Sequence, residues 1–315
     1  MGQESVWLTE VRDSKRPIVC SVSGGKDSVA MALWIKYEAK LEETNDVHYV
    51  FADTGWEHPV LYKYLDDVVQ PLLGDKFKRV ASKKYPGGME ELVEKRGMFP
   101  SRKIRFCTQE LKVFPIRDYI KEVSPDCVNA VGIRAEESFR RSKMEEWEGG
   151  GPMDCDTWRP LITWLLPEVI DIHTKHNIKP CSLYYRKELP ASRVGCHPCI
   201  MSRKSEIRAV AEFDPERIVQ IRTMEAKVAE KAAERYAKKG ETFKSLGYTP
   251  PTFFQSREGD GSMWPIDEVT KWSKTSWGGK QNEFLFAAKT PSDLGCSMWG
   301  LCEHDPLPSD DDKDE

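Results

Sequence analysis

The sequence predicts an α/β fold: an open, mostly parallel sheet with helices on both faces, followed by a mainly helical C-terminal region. Three observations predict it. Short β-branched runs alternate with helix-length apolar segments along the first half of the chain. Several of these runs end in glycine or polar turns. Those turns carry the chemistry-bearing residues, which is where open parallel sheets place ligands.

Taken in order, "RPIVCSV" (Arg16 to Val22) reads as the first strand, and the apolar residues from Val29 to Tyr37 cover nearly every face of the helix after it. "DVHYVFADTG" (Asp46 to Gly55) reads as a second strand ending in a polar turn, and "EHPVLYKYLDDVVQPLL" reads as helix. "KRVAS" (Lys78 to Ser82) and "CVNAVGIR" (Cys127 to Arg134) read as further strands separated by the helical "TQELKVFPIRDYIKEV". Three polar stretches end strands, Ser23 to Ser28, Asp53 to Glu57 and Gly132 to Arg141, and they are expected to line one rim. Beyond Cys199 the character changes. Asp214-Pro215 is a cap followed by a first-turn proline, and it opens a long charged helix reaching about Lys239, with Ile218, Ile221, Val228, Ala232 and Tyr236 on one core-facing stripe. Thr249 to Lys280 shows little periodicity and reads as an irregular segment. The expected organisation is an α/β domain over 14–203, a helical and irregular region over 204–304, and an acidic, solvated tail over 305–315.

The 315 residues are 39% hydrophobic, enough for a sizeable core, and the formal charge is −4 with 31% charged residues. Overall electrostatics neither demand nor exclude a nucleic-acid partner; any basic surface has to be local. No stretch approaches the roughly 18 consecutive apolar residues of a membrane span, and Met1 to Lys15 lacks the apolar core of a secretory signal. A cytoplasmic protein with no membrane partner is therefore expected.

The turn "SGGKDS" follows a strand and opens a helix. Unpaired backbone N–H groups and a positive helix end make such a turn a phosphate cradle. Lys26 adds a cation, and Ser23 and Ser28 add hydroxyls. The spacing is neither that of a Walker loop nor that of G-x-G-x-x-G. The plainer reading is an ordinary tight turn permitted by Gly24 and Gly25, and the coincidence of several independent features argues against it.

With "FADTGWEHP" (Phe51 to Pro59), "RFCTQELKVFPI" (Arg105 to Ile116), "GIRAEESFRR" (Gly132 to Arg141), "WRPLITW" (Trp158 to Trp164) and "RVGCHPC" (Arg193 to Cys199), this turn forms an ordered series. The series resembles the phosphoadenosine phosphosulfate (PAPS) reductase family, within the PP-loop ATP-pyrophosphatases of the adenine nucleotide α-hydrolase-like (HUP-like) fold. The resemblance implies ATP or a related adenylyl nucleotide, with phosphates on Ser23, Gly24, Gly25, Lys26 and Ser28. It also implies Mg²⁺ at Asp27, and base and ribose near Asp53, Thr54 and Gly55. Gly132, Arg134, Arg140 and Arg141 are expected as further nucleotide contacts, the arginines as clamps, against the plainer alternative of pairing with Glu136 and Glu137. Lys26, Asp27 and Cys107 are the expected catalytic residues. An intact loop, and a tail "LGCSMWGLCEHD" without the "ECG"-type segment of sulfonucleotide reductases, favour ATP-consuming sulfur transfer over simple PAPS reduction.

Nine cysteines are many for a reducing compartment. Cys196 and Cys199 form a C-x-x-C. Cys107 stands where iron–sulfur relatives carry a cysteine pair, whose second member is replaced here by Thr108. With Cys296 and Cys302, these offer enough ligands for a 4Fe-4S cluster or a tetrahedral Zn²⁺. A reactive redox or persulfide-carrying pair and inert buried thiols are the other readings. Cys20 and Cys127 read as core, and Cys155 and Cys181 stay open.

Three functions follow. The first is an ATP pyrophosphatase that adenylates an acceptor, coupled to sulfur transfer onto a nucleic acid or nucleotide, with a sulfur-donor protein as partner. The second is a thiol-dependent reductase making sulfite from PAPS or adenylylsulfate. The third is a nucleotide-binding partner without turnover. Trp264, Trp272 and Trp277 offer base stacking, with core packing as the plainer alternative.

Overall fold

The computed structural model describes residues 5–151, 153–186, 191, 193–255 and 263–275. Cys296, Cys302, Trp277 and the acidic tail lie outside the described residues.

Six strands form one sheet: β1 (Ile18–Ser21), β2 (Val47–Asp53), β3 (Phe77–Ala81), β4 (Val128–Val131), β5 (Trp147–Glu148) and β6 (Asp156–Trp158), in the order β3-β2-β1-β4-β6-β5. All neighbours pair in parallel except β5 with β6. The order runs outward from β1 to β3, then returns to place β4 on the other side of β1. This reversal opens a crevice beyond the carboxyl ends of β1 and β4.

Alternate residues of each strand face opposite layers. Ile18, Cys20, Tyr49, Phe51, Val128 and Ala130 pack under helices α1 (Val6–Ser14), α2 (Lys26–Leu33) and α3 (Pro59–Tyr64) and the helix Leu166–Lys175. Val19 and Val50 pack with Ile116 and Ile120 of the helix Phe114–Val123 on the other face. Short β5 and β6 and the helices Val6–Ser14, Gly88–Arg96 and Leu166–Lys175 were not among the expected elements.

A second core lies beside the sheet, and it crosses the boundary expected at 203/204. Trp56, Leu92, Phe106 and Leu111 pack there with Ile207, Ile221, Val228 and Phe253. Asp214 caps the helix Pro215–Ala237, its Oδ1 accepting from the Arg217 amide at 3.3 Å with Pro215 in the first turn, as its sequence predicts. Ile218, Ile221, Val228 and Ala232 of the stripe are buried, and Tyr236 is half-buried.

The segment expected to be irregular contains a helix, Ile266–Ser273, after a short hairpin of Phe254–Gln255 and Met263–Trp264. Ile266 and Val269 anchor that helix in the second core, a period hidden by the surrounding Pro, Gly and Trp. Trp264 and Trp272 pack against each other, ring centroids 5.1 Å apart, and against the same core. Cys20, Cys127, Cys155 and Cys181 are buried, and burial pushes the thiols of all four up. No helix of the described residues is long and apolar enough to cross a membrane.

Candidate functional site

The turn after β1 is shaped by contacts only glycine permits. Gly24 has φ +76°, and a Cβ there would lie 2.6 Å from a Leu61 methyl. Helix α2 then starts at Gly25 with no side-chain cap. The Lys26 amide is met from outside the loop by the Tyr184 hydroxyl at 3.1 Å. Ser28 Oγ accepts from the Ser23 amide at 3.1 Å and donates to the Gly25 carbonyl at 3.0 Å, closing the loop on itself.

Lys26 is 3% exposed; its ammonium lies 3.4 Å from Asp27 and 5.2 Å from the Tyr184 ring centroid. The loop after β4 comes against the same turn. A Cβ on Gly132 would lie 2.8 Å from the Asp27 carbonyl oxygen, and buried Arg134 donates from Nε to Asp27 Oδ1 at 2.6 Å. Both Asp27 oxygens therefore face cations. In this arrangement the carboxylate does not fit the expected Mg²⁺ role, because a metal ion would have to displace Lys26 or Arg134.

Of the expected clamps, Arg134 reaches the loop and also pairs with Glu136. Arg141 pairs with Glu137, and Arg140 is exposed. His173, fully buried, places its two ring nitrogens 2.9 Å from the carbonyl oxygens of Lys26 and Ile178, and burial pushes its pKa down.

The turn after β2 faces two ways. Asp53 accepts from the Gly55 amide and from the Tyr62 hydroxyl, at 2.9 and 2.6 Å. Thr54 is buried, its hydroxyl donating to buried Glu57 at 2.7 Å and lying 3.8 Å from Cys196 Sγ. Glu57 also accepts from the Trp56 amide and from Tyr62 and forms an antiparallel bridge with Cys196. The Trp56 carbonyl accepts from the His197 amide at 2.8 Å, and the Trp56 indole donates to the Pro198 carbonyl at 3.0 Å. The C-x-x-C segment is thus docked against the turn by one isolated bridge and two hydrogen bonds.

This docking completes a cavity of about 80 Å³ onto which Cys107, Cys196 and Cys199 all open, with Thr54, Lys112 and Phe253 among its other walls. Cys107 and Lys112 are five residues apart and face one cavity because the backbone between them, Gln109–Val113, is a π-helical turn; i→i+5 bonding rotates the chain less per residue than an α-helix does. Cys196 first, then Glu57, Cys199 and Cys107, push the half-buried Lys112 ammonium up to about 12. Burial pushes the Cys107 thiol up and, with the neighbouring Cys196, takes Cys199 to about 11.

A single tetrahedral ion bound at about 2.3 Å would hold its sulfurs about 3.8 Å apart. Among the described residues the three ligand atoms gathered within 4.8 Å of one another belong to His58, His197 and Asp214, not to the three cysteines. The His58 group is unsuited to a metal. His58 Nδ1 accepts from the Val60 amide at 3.0 Å, which leaves the ring proton on Nε2, and Asp214 already accepts from His197 at 3.1 Å and caps a helix.

Lys112, Glu57, Tyr62, His173 and Tyr184 were not singled out from the sequence. Lys112 lies inside the quoted "RFCTQELK", but its α-helical spacing from Cys107 places it on another face. Tyr184 and His173 had no local signal.

The phosphoadenosine phosphosulfate reductase domain matches residues 17–202 of this chain. The uncharacterized 37.8 kDa protein in the gpa 5′ region of Escherichia phage 186 is 31% identical, aligning 90% of this chain and 96% of its own. An uncharacterized nin-region protein of Escherichia phage lambda is 26% identical over 56% of this chain and 69% of its own. Among solved structures, phosphoadenylyl-sulfate reductase from Candida auris superposes with a TM-score of 0.44 at 16% identity, covering 61% of this chain and 88% of that one. The U34-tRNA thiolase NcsA from Methanococcus maripaludis, with its 4Fe-4S cluster, superposes with a TM-score of 0.40 at 17% identity, covering 85% and 87%. The domain match spans more than half of the sequence and contains both the phosphate turn and the C-x-x-C, and the chain belongs to the phosphoadenosine phosphosulfate reductase family.

Proposed function

We propose that this protein is an ATP pyrophosphatase that adenylates an acceptor and passes sulfur to it. The observation that carries the reading is the pairing of two sites by one turn. Asp53 to Glu57 follows β2, whose carboxyl end lies beside that of β1 where the phosphate loop begins, and it reaches the three-cysteine cavity, with Thr54 Oγ1 3.8 Å from Cys196 Sγ. A nucleophilic oxygen of the acceptor attacks the α-phosphorus, the bond to the β-phosphate oxygen breaks, and pyrophosphate leaves. The uncapped start of α2, buried Lys26 and Arg134 supply positive charge where the leaving group gains negative charge. The Lys26 amide donates to the Tyr184 hydroxyl and the Lys26 carbonyl faces His173 Nε2, which fixes the backbone on both sides of the Lys26 Cα and so the direction of its side chain.

Sulfide-level sulfur from a donor then bonds to the adenylated acceptor as AMP leaves with the activated oxygen, and the cysteine cavity is where that sulfur is held. Cys107, Cys196 and Cys199 would hold an iron–sulfur cluster, with Lys112 balancing thiolate charge. When bound, such a cluster supplies an iron with an open coordination position. Anaerobic purification followed by iron, acid-labile sulfide and zinc assays tests the cavity. Product analysis with magnesium-ATP tests the loop, AMP plus pyrophosphate being expected.

That Cys107, Cys196 and Cys199 line one cavity also supports a second reading, a reductase in which two thiols reduce PAPS or adenylylsulfate to sulfite and close a disulfide. Sulfite formed from either sulfonucleotide without ATP cleavage would select it.

A further inference from the structure

Directly before the cysteine helix the chain reads Ser-Arg-Lys-Ile-Arg, and Arg102, Lys103, Ile104 and Arg105 are all exposed. The loop has a defined shape. The Ser101 amide donates to the Ile104 carbonyl at 3.0 Å, Ser101 Oγ accepts from the Ile104 amide at 3.0 Å, and Arg105 Nε donates to the Arg102 carbonyl at 3.1 Å.

Nearby cations are spoken for: Lys83 pairs with Glu122, Lys95 with Glu91, and Lys84 and Arg96 with Glu110. Arg102, Lys103 and Arg105 have no carboxylate within 4.0 Å among the described residues. Three cations within four positions, on a chain whose formal charge is −4, form a local positive patch. Arg105 is also the N-cap residue of the short helix Phe106–Thr108, so the patch leads directly into Cys107 and the cavity.

We propose that this loop is the docking point for the phosphodiester backbone of a nucleic-acid acceptor, held beside the cysteine cavity. The inference rests on the sulfur-transfer reading above and names its acceptor class. Closely spaced cations match a polyanion with regularly repeated charge, and the arginine forks suit phosphate oxygens.

The test uses the full chain and a fluorescent mixed-sequence single strand, as RNA and as DNA, with binding followed by anisotropy across a salt series. Each phosphate contact on a single strand contributes about 0.7 to the slope of log affinity against log salt. Arg102→Ala/Lys103→Ala/Arg105→Ala is expected to flatten that slope by about 2 and weaken low-salt binding by about tenfold or more. Arg102→Ala/Lys103→Ala, which spares the cap of the cysteine helix, should flatten it by about 1.4. Lys83→Ala/Lys95→Ala removes cations that are already paired and should leave the slope in place.

An unchanged slope in the triple variant with normal thermal unfolding overturns the proposal. So does tight binding of poly-glutamate that neither oligonucleotide competes. Release of pyrophosphate from magnesium-ATP is measured separately, so failure of the phosphate-loop reading is distinguishable from failure of docking.

Discussion

The phosphate loop and the cysteine cavity stand at the two ends of one turn and are built in opposite ways. The loop is six consecutive residues whose function resides in backbone amides, one lysine and a helix start. It closes on itself through Ser28, Ser23 and Gly25, while Leu61, Tyr184, His173 and Arg134 brace it from outside. The cavity is assembled from five remote segments: the turn after β2, Met89, the helical stretch Cys107 to Lys112, the C-x-x-C and Phe253. Its walls belong to the second core, where residues before and after position 203 interlock. A contiguous motif tolerates distant change, whereas an assembled cavity inherits every weakness of the packing behind it.

Variants that damage one end and spare the other break this comparison, and they rank by expected effect. Cys196→Ser should abolish iron loading and sulfur transfer while pyrophosphate release stays within about twofold, read by iron analysis beside a pyrophosphate assay. Lys26→Ala should do the reverse, lowering pyrophosphate release by about 10²–10³-fold with iron content unchanged.

Glu225→Ala is next. Its buried carboxylate accepts from the Phe253 and Ile266 amides at 2.9 and 3.1 Å, and its loss leaves both donors without that acceptor. About 2–4 kcal/mol of stability should disappear in urea titrations. Because Phe253 walls the cavity, iron loading should suffer before nucleotide binding does. Ser23→Ala, which removes a hydroxyl 3.1 Å from Ser28 Oγ, should raise the KM for ATP by only a few-fold, about 1 kcal/mol.

The same contrast explains how much was legible beforehand. Strands β1 to β4 and the helices after β1 and β2 carry strong apolar runs, and their turns could be placed on one rim before any coordinates. Cys107 and the C-x-x-C were visible as residues, yet no spacing rule says that the 88 residues between Cys107 and Cys196 return them to one cavity. Lys112 was hidden by a π-helical turn, which breaks the 3.6-residue period that sequence reading relies on. Short β5 and β6 are two and three residues long, below what an apolar pattern can signal. Tyr184 and His173 act through single contacts to the backbone of Lys26, a kind of support that leaves no trace in residue pattern.

The most direct test of the central claim is the product spectrum of the anaerobically purified protein with magnesium-ATP, with and without nucleic acid. Equal amounts of AMP and pyrophosphate, lost in Lys26→Ala, are the predicted result. ADP and phosphate, or intact ATP alongside sulfite released from PAPS, would contradict it.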